Sequence, residues 1–114
     1  MKRITVVDVL GARYTVQIGT KEELGLSQDL IGSCEVYDKR ISVFLGSLED
    51  GEPESVAEIR AREVIQHELA HAYIKESGMC LTNEAEEMFC TFLETNLRKL
   101  MNSVLSVTDD FNLE

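Results

Sequence analysis

The chain has 114 residues, is 44% hydrophobic and carries a net charge of −10, which suits one domain large enough to bury its own core and leaves no room for a second. No stretch approaches the ~18 uninterrupted apolar residues of a membrane span, and the start Met1-Lys2-Arg3-Ile4-Thr5-Val6-Val7-Asp8 reaches an acid too soon for a signal peptide, so the sequence reads as cytosolic and not membrane-bound. Residues 1–48 hold six bases and six acids, whereas residues 49–114 hold five bases and fifteen acids; such a surface repels phosphate and argues against a nucleic-acid partner.

Ile4-Thr5-Val6-Val7-Asp8-Val9 and Tyr14-Thr15-Val16-Gln17-Ile18 alternate apolar and polar residues, with Leu10-Gly11-Ala12-Arg13 between them. This predicts a hairpin. Thr20 and Glu23 have capping-box spacing and introduce a short helix at residues 21–25, before Gly25 and Gly32 break regularity. A second hairpin follows, Cys34–Tyr37 and Ile41–Leu45 around Asp38-Lys39-Arg40, for a sheet of three or four strands. The segment Gly46–Pro53 holds two glycines and the only proline. It reads as the linker to a helical half, with Pro53 at a helix entry.

From Glu54 to Ser77 apolar residues recur at helical spacing, and Gly78 supplies a stop. A helical wheel puts His67 and His71 with Val56, Val64 and Ile74, on an inward face. Thr82 caps a second helix, from about Asn83 to Leu105, whose apolar arc is Phe89, Leu93, Leu97, Leu100 and Met101. Residues 108–114 read as a frayed tail.

The chemistry concentrates in His67-Glu68-Leu69-Ala70-His71, which contains both histidines of the chain. Four residues of helix turn a side chain by ~400°, so two imidazoles at this spacing share one face and can hold one metal ion. The glutamate of such an HExxH pattern lies ~100° from the first histidine, where it serves as general base to the attacking water. Glu68 takes that role. By chance this arrangement arises in about two such chains in a thousand. The bland alternative is two core histidines beside a surface glutamate.

A catalytic site needs three protein ligands and an open position, and with no further histidine the third is a carboxylate or thiolate. Candidates cluster in Asn83-Glu84-Ala85-Glu86-Glu87-Met88-Phe89-Cys90. In an antiparallel helical hairpin turning at residues 78–82, the histidines lie level with about residues 89–93, which favours Glu87 over Glu84 along the ~1.5 Å rise per residue. Glu86 faces the apolar arc, where a ligand role would explain a carboxylate. Cys80 and Cys90 complete the alternatives. The odd count of three cysteines, with Cys34, has no CxxC pair and reads as reduced core thiols. A glutamate left over from ligation can orient a histidine through its second nitrogen. Tyr14, Tyr37 and Tyr73 are the tyrosines available to steady an oxyanion.

Val64-Ile65-Gln66-His67-Glu68-Leu69-Ala70-His71-Ala72, followed by Gly78 and Asn83–Cys90, resembles the gluzincin metallopeptidases, especially the minimal ImmA/IrrE-like proteins of phages and mobile elements. The likeness covers roughly residues 54–100. It implies a small α+β, zincin-like fold with the HExxH helix beside a short sheet, one Zn2+ on His67, His71 and a second-helix glutamate, and Glu68 as base. In that family Asp or Asn follows the ligating glutamate by four residues; Met88, Cys90 and Thr91 stand in those positions here. Gly32–Ile41 also resembles the strand half of small phage-encoded members.

The expectation is thus an α+β domain with an N-terminal sheet of hairpins and two long helices. Its expected function is that of a zinc-dependent endopeptidase cutting one protein partner, such as a regulator or a basic segment drawn to the acidic helical surface. Two alternatives stand beside it. One is a zinc-bearing assembly protein that cuts nothing, and the other is a metal-free interaction module.

Overall fold

The computed structural model describes residues 2–46 and 54–113, with Glu54 and Ser55 described in their backbone only. The proposed linker and the Pro53 helix entry therefore lie outside the described residues, Gly46 excepted. The fold is α+β, a four-stranded mixed sheet followed by two long helices.

Strands β1 (Arg3–Val9) and β2 (Ala12–Gly19) pair antiparallel, from Arg3 opposite Ile18 to Val9 opposite Ala12. They turn through Leu10 and Gly11, both at positive φ (51° and 91°). That is the type I′ geometry whose twist matches a two-residue hairpin, so the turn is tighter than the four residues expected. Helix α1 (Lys21–Leu24) begins at the predicted capping box: Thr20 Oγ1 accepts from Glu23 N, and Glu23 Oε1 accepts from Thr20 N. Strands β3 (Gly32–Glu35) and β4 (Arg40–Phe44) form the second hairpin, one in which Val36 and Tyr37 belong to the turn instead of a strand.

The two hairpins join through a parallel pairing of β2 with β4, giving the order β1-β2-β4-β3. The stretch from α1 to β3 makes this possible by carrying the chain back across the sheet. It leaves β3 as an edge strand. Alternation along β2 and β4 sends Tyr14, Val16, Ile41 and Val43 to one face, where all four are buried. Gln17 and Ser42 share the other face and satisfy each other by a hydrogen bond of 2.9 Å.

Helix α2 (Glu54–Glu76) lies across the apolar face. Ala57, Ala61, Val64 and Ala72 recur at helical spacing and are buried against the sheet, the alanines permitting close approach. A second stripe, Ala70 and Ile74, packs against Cys90 of α3 (Asn83–Asp110), with Leu81 and Leu93 beside them. Because α2 is buried on two sides, the single inward face expected from the wheel does not exist as drawn. Val64 and Ile74 are buried, but Val56 is 45% exposed.

Gly78 ends the α2 region at φ +76°, a left-handed conformation that glycine adopts without steric cost. Thr82 Oγ1 caps α3 by accepting from Ala85 N. Helix α3 continues to Asp110, past the expected end at Leu105, so residues 108–110 form its last turn and not a frayed tail. Of its predicted apolar arc, Leu93 and Leu97 are partly covered, while Phe89, Leu100 and Met101 are exposed. Among the described residues, no helix is long and apolar enough to cross a membrane.

Candidate metal centre

His67 and His71 stand one turn apart on α2, with ring centroids 5.0 Å apart, and both are half-buried beneath α3. The antiparallel helical pair sets their partners. Gln66 fixes the register by donating from Nε2 to the backbone oxygens of Leu93 and Glu94. In that register the Glu87 carboxylate reaches both imidazoles, with Oε1 2.7 Å from His67 Nε2 and Oε2 3.2 Å from His71 Nε2. Ligand atoms of His67, His71 and Glu87 lie within 4.8 Å of one another. Four-coordinate zinc holds its ligand atoms roughly 3.4 Å apart, a spacing comparable with that of these three residues.

The remaining ring nitrogens also face carboxylates. His71 Nδ1 is 2.6 Å from Glu86 Oε2, and Lys75 Nζ lies 3.1 Å from the other oxygen of that carboxylate. Burial pushes the Glu86 carboxyl up, but hydrogen bonds from His71 and Lys75, together with their charge, outweigh it and hold the group below its usual range. Glu86 thus has a histidine-orienting position on a buried face of α3. On the other imidazole, His67 Nδ1 is buried 2.9 Å from Glu94 Oε1, yet off the line of a proper hydrogen bond. With both Nδ1 atoms against carboxylates, both Nε2 atoms turn toward Glu87, the ring orientation that suits shared ligation.

Glu68 points elsewhere. It falls on the sheet-facing stripe of α2, in step with Val64 and Ala72, and so reaches toward β3. Gly32 makes the space for it: a Cβ there would stand 2.5 Å from Val64 Cγ1 and 3.1 Å from Glu68 Oε2. Burial raises the Glu68 carboxyl above its ordinary range, against the opposing pull of His67 and His71. Glu68, His67 and Glu94 line one cleft of about 220 Å3 with Val64 and Asp29–Gly32. A larger apolar groove of about 460 Å3 lies along α2 and α3 and includes none of these titratable groups. Its lining offers packing, so the smaller cleft is the one that gathers the titratable groups.

The structure brings His67, His71 and Glu87 together and leaves Glu84 exposed outside the cluster. Cys80 is exposed and Cys90 buried, and neither joins it. Burial and neighbouring carboxylates push the thiols of Cys34 and Cys90 up to about 12, as expected of protonated packing residues. No tyrosine lines the cleft among the described residues. Tyr14 is buried under the sheet and donates to Glu76, Tyr37 is fully exposed in the β3–β4 turn, and Tyr73 borders the apolar groove. Glu94 was not singled out by the sequence. Its signal was available, since it follows Glu87 by seven residues, two turns along the same helical face.

Comparison with protein-family models, with curated proteins and with solved structures finds no match to the chain.

Proposed function

We propose that this chain is a zinc-dependent metallopeptidase that hydrolyses a peptide bond of a protein partner. The observation carrying this reading is the convergence of His67, His71 and Glu87 beside a cleft into which Glu68, a non-ligand carboxylate, is aimed. The donor set of two imidazoles and one carboxylate is that of a catalytic zinc site with a position left open. When bound, the metal supplies a Lewis acid to the scissile carbonyl and to the attacking water.

The chain's own residues do the rest. Glu86 holds the His71 ring through Nδ1, Glu94 lies against Nδ1 of His67, and both Nε2 atoms face Glu87. Glu68 takes the proton of the attacking water and passes it to the leaving amine. Its raised carboxyl suits a group that must hold a proton between those two steps. The partner enters as an extended segment, because the edge strand β3 begins at the cleft and offers unpaired backbone groups along one side. Asp29 and Glu94 in the lining favour a basic side chain near the scissile bond.

A second reading has an observation of its own. Between α2 and α3 the buried apolar cluster is only Ala70, Ile74 and Cys90, so a metal joining these helices would also serve as a clamp. In that reading the protein is a zinc-bearing assembly factor that cuts nothing.

Two measurements separate the readings. Elemental analysis of the purified protein is expected to give one zinc per chain, lost in both His71→Ala and Glu87→Ala. The native chain and Glu68→Gln are then incubated with a mixed peptide library, and new N-termini are read by mass spectrometry. The peptidase reading predicts cleavage by the native chain and none by a Glu68→Gln chain that keeps its zinc. Zinc retention with no cleavage by either supports the clamp.

A further inference from the structure

Beyond the metal centre, the most conspicuous unused feature is the C-terminal half of α3. Glu86, Cys90, Leu93, Leu97, Leu100, Val104, Val107 and Phe111 follow one another at alternating steps of four and three, a heptad stripe along the whole helix. Its first part is covered, with Glu86 and Cys90 buried under α2. The second part is bare: Leu100 is 50% exposed, Val104 45%, Val107 53% and Phe111 70%. From Leu100 to Phe111 the bare strip is roughly 17 Å long, and the partly covered Leu93 and Leu97 continue it toward α2.

The charge pattern says what covers it. A chain with a net charge of −10 repels its own copies, yet residues 95–108 contain no acid and two bases, Arg98 and Lys99. The positions flanking the stripe there are Asn96, Met101, Ser103 and Thr108, all uncharged, and acids flank it at its ends alone, at Glu94 and Asp110. Pairing with a different protein is commonly specified by charges at such flanks, whereas neutral flanks let a helix meet itself without repulsion. The stripe is also self-complementary in reverse. Set antiparallel to itself about the level of Asn102, Leu100 meets Val104, Leu97 meets Val107, and Leu93 meets Phe111, every layer apolar.

We propose that this half of α3 is where a second copy of the chain docks, the two helices pairing antiparallel about residue 102. The register brings Phe111 of one copy to the level of Leu93 of the other. There the apolar groove bordered by Leu10, Leu69, Tyr73, Phe89, Leu93 and Leu97 opens, with about 460 Å3 to receive an aromatic ring. The assembly is a twofold dimer with the same surface used by both partners. Two strips of this size bury less than a permanent dimer does, so association is expected to be weak and concentration-dependent. The metal centre plays no part in the contact.

Sedimentation equilibrium of the full chain, from low to high micromolar, tests this. The expected mass rises with concentration to twice the 12.8 kDa of the chain. Leu100→Glu/Val104→Glu, at exposed positions that folding does not need, is expected to weaken association at least ~tenfold by putting charge in the central layers. Asn102→Glu, on the outer face of the helix, leaves it unchanged. Leu97→Lys alone weakens the dimer, and adding Val107→Glu in the same chain restores part of it, because the antiparallel register pairs those two positions. A mass of 12.8 kDa at every concentration overturns the proposal, as does a dimer indifferent to Leu100→Glu/Val104→Glu. Failure of Val107→Glu to recover association overturns the antiparallel register.

Discussion

The two sides of α2 are held by different physics. Toward the sheet, Ala57, Ala61, Val64 and Ala72 meet Val9, Tyr14, Val16, Ile41 and Val43 in one apolar cluster that excludes water. Toward α3, a small cluster of Ala70, Ile74 and Cys90 stands beside two histidines, three glutamates and a lysine in mutual contact. The first side is stable as it stands, since apolar burial needs no partner beyond itself. The second concentrates carboxylates and imidazoles in a half-buried seam, where their mutual attraction must offset desolvation. A fold built for stability alone would fill that seam with leucine; this one keeps it ionisable, with three donors spaced so that they could hold a metal ion.

The contrast breaks most strongly in the sheet-side core. Ile41 is fully buried, so Ile41→Ala is expected to cost about 2–5 kcal/mol, read from denaturant unfolding. An equally truncating change in the exposed half of α3, such as Val104→Ala, should move the midpoint far less in the monomer. Gly32→Ala sharpens the comparison at the boundary between the two sides. The added Cβ would overlap Val64 and crowd Glu68, costing about 1–3 kcal/mol. On the peptidase reading zinc content should survive this change while cleavage falls, because Gly32 adjoins Glu68, the proposed base, and none of the three proposed ligands.

The smallest effect is the acid response of the sheet side. Glu76, at the end of α2, accepts hydrogen bonds from Lys39 and Tyr14, which hold its carboxyl below the ordinary 4.5. The unfolded chain therefore binds the proton more readily. The contribution is present above pH 4.5 and is lost as the pH falls through the lower folded value. Urea midpoints measured across this window should drop less for Glu76→Gln than for the native chain.

What could be read from the sequence was local. The capping box at Thr20 and Glu23, the first hairpin though not its two-residue turn, the Thr82 cap and the HExxH spacing each involve residues close in sequence, and their geometry follows from backbone rules alone. The parallel pairing of β2 with β4 depends on how the α1–β3 stretch folds back, which no periodicity encodes. The wheel misplaced Val56 because α2 is covered from two directions near its middle, whereas near its start the buried stripe is Ala57 and Ala61, which face the sheet. The end of α3 was set too early for a related reason: the apolar residues of its last turns are exposed, so they resembled a tail. At the site, Glu87 could be favoured by counting rise along the helices. Glu86 was seen to face inward without its partners, and Glu94 needed the register that Gln66 sets across 27 and 28 residues of sequence.

The central claim is that the α2–α3 seam is a metal site and the sheet-side core is independent of it. Hydrogen exchange of the full chain with and without zinc tests this most directly. The account predicts slower exchange in the second half of α2 and in residues 83–97 when zinc is present, with β1, β2 and β4 unchanged, and no such effect in His71→Ala. Exchange that ignores zinc throughout the chain, or protection that persists in His71→Ala, would contradict it.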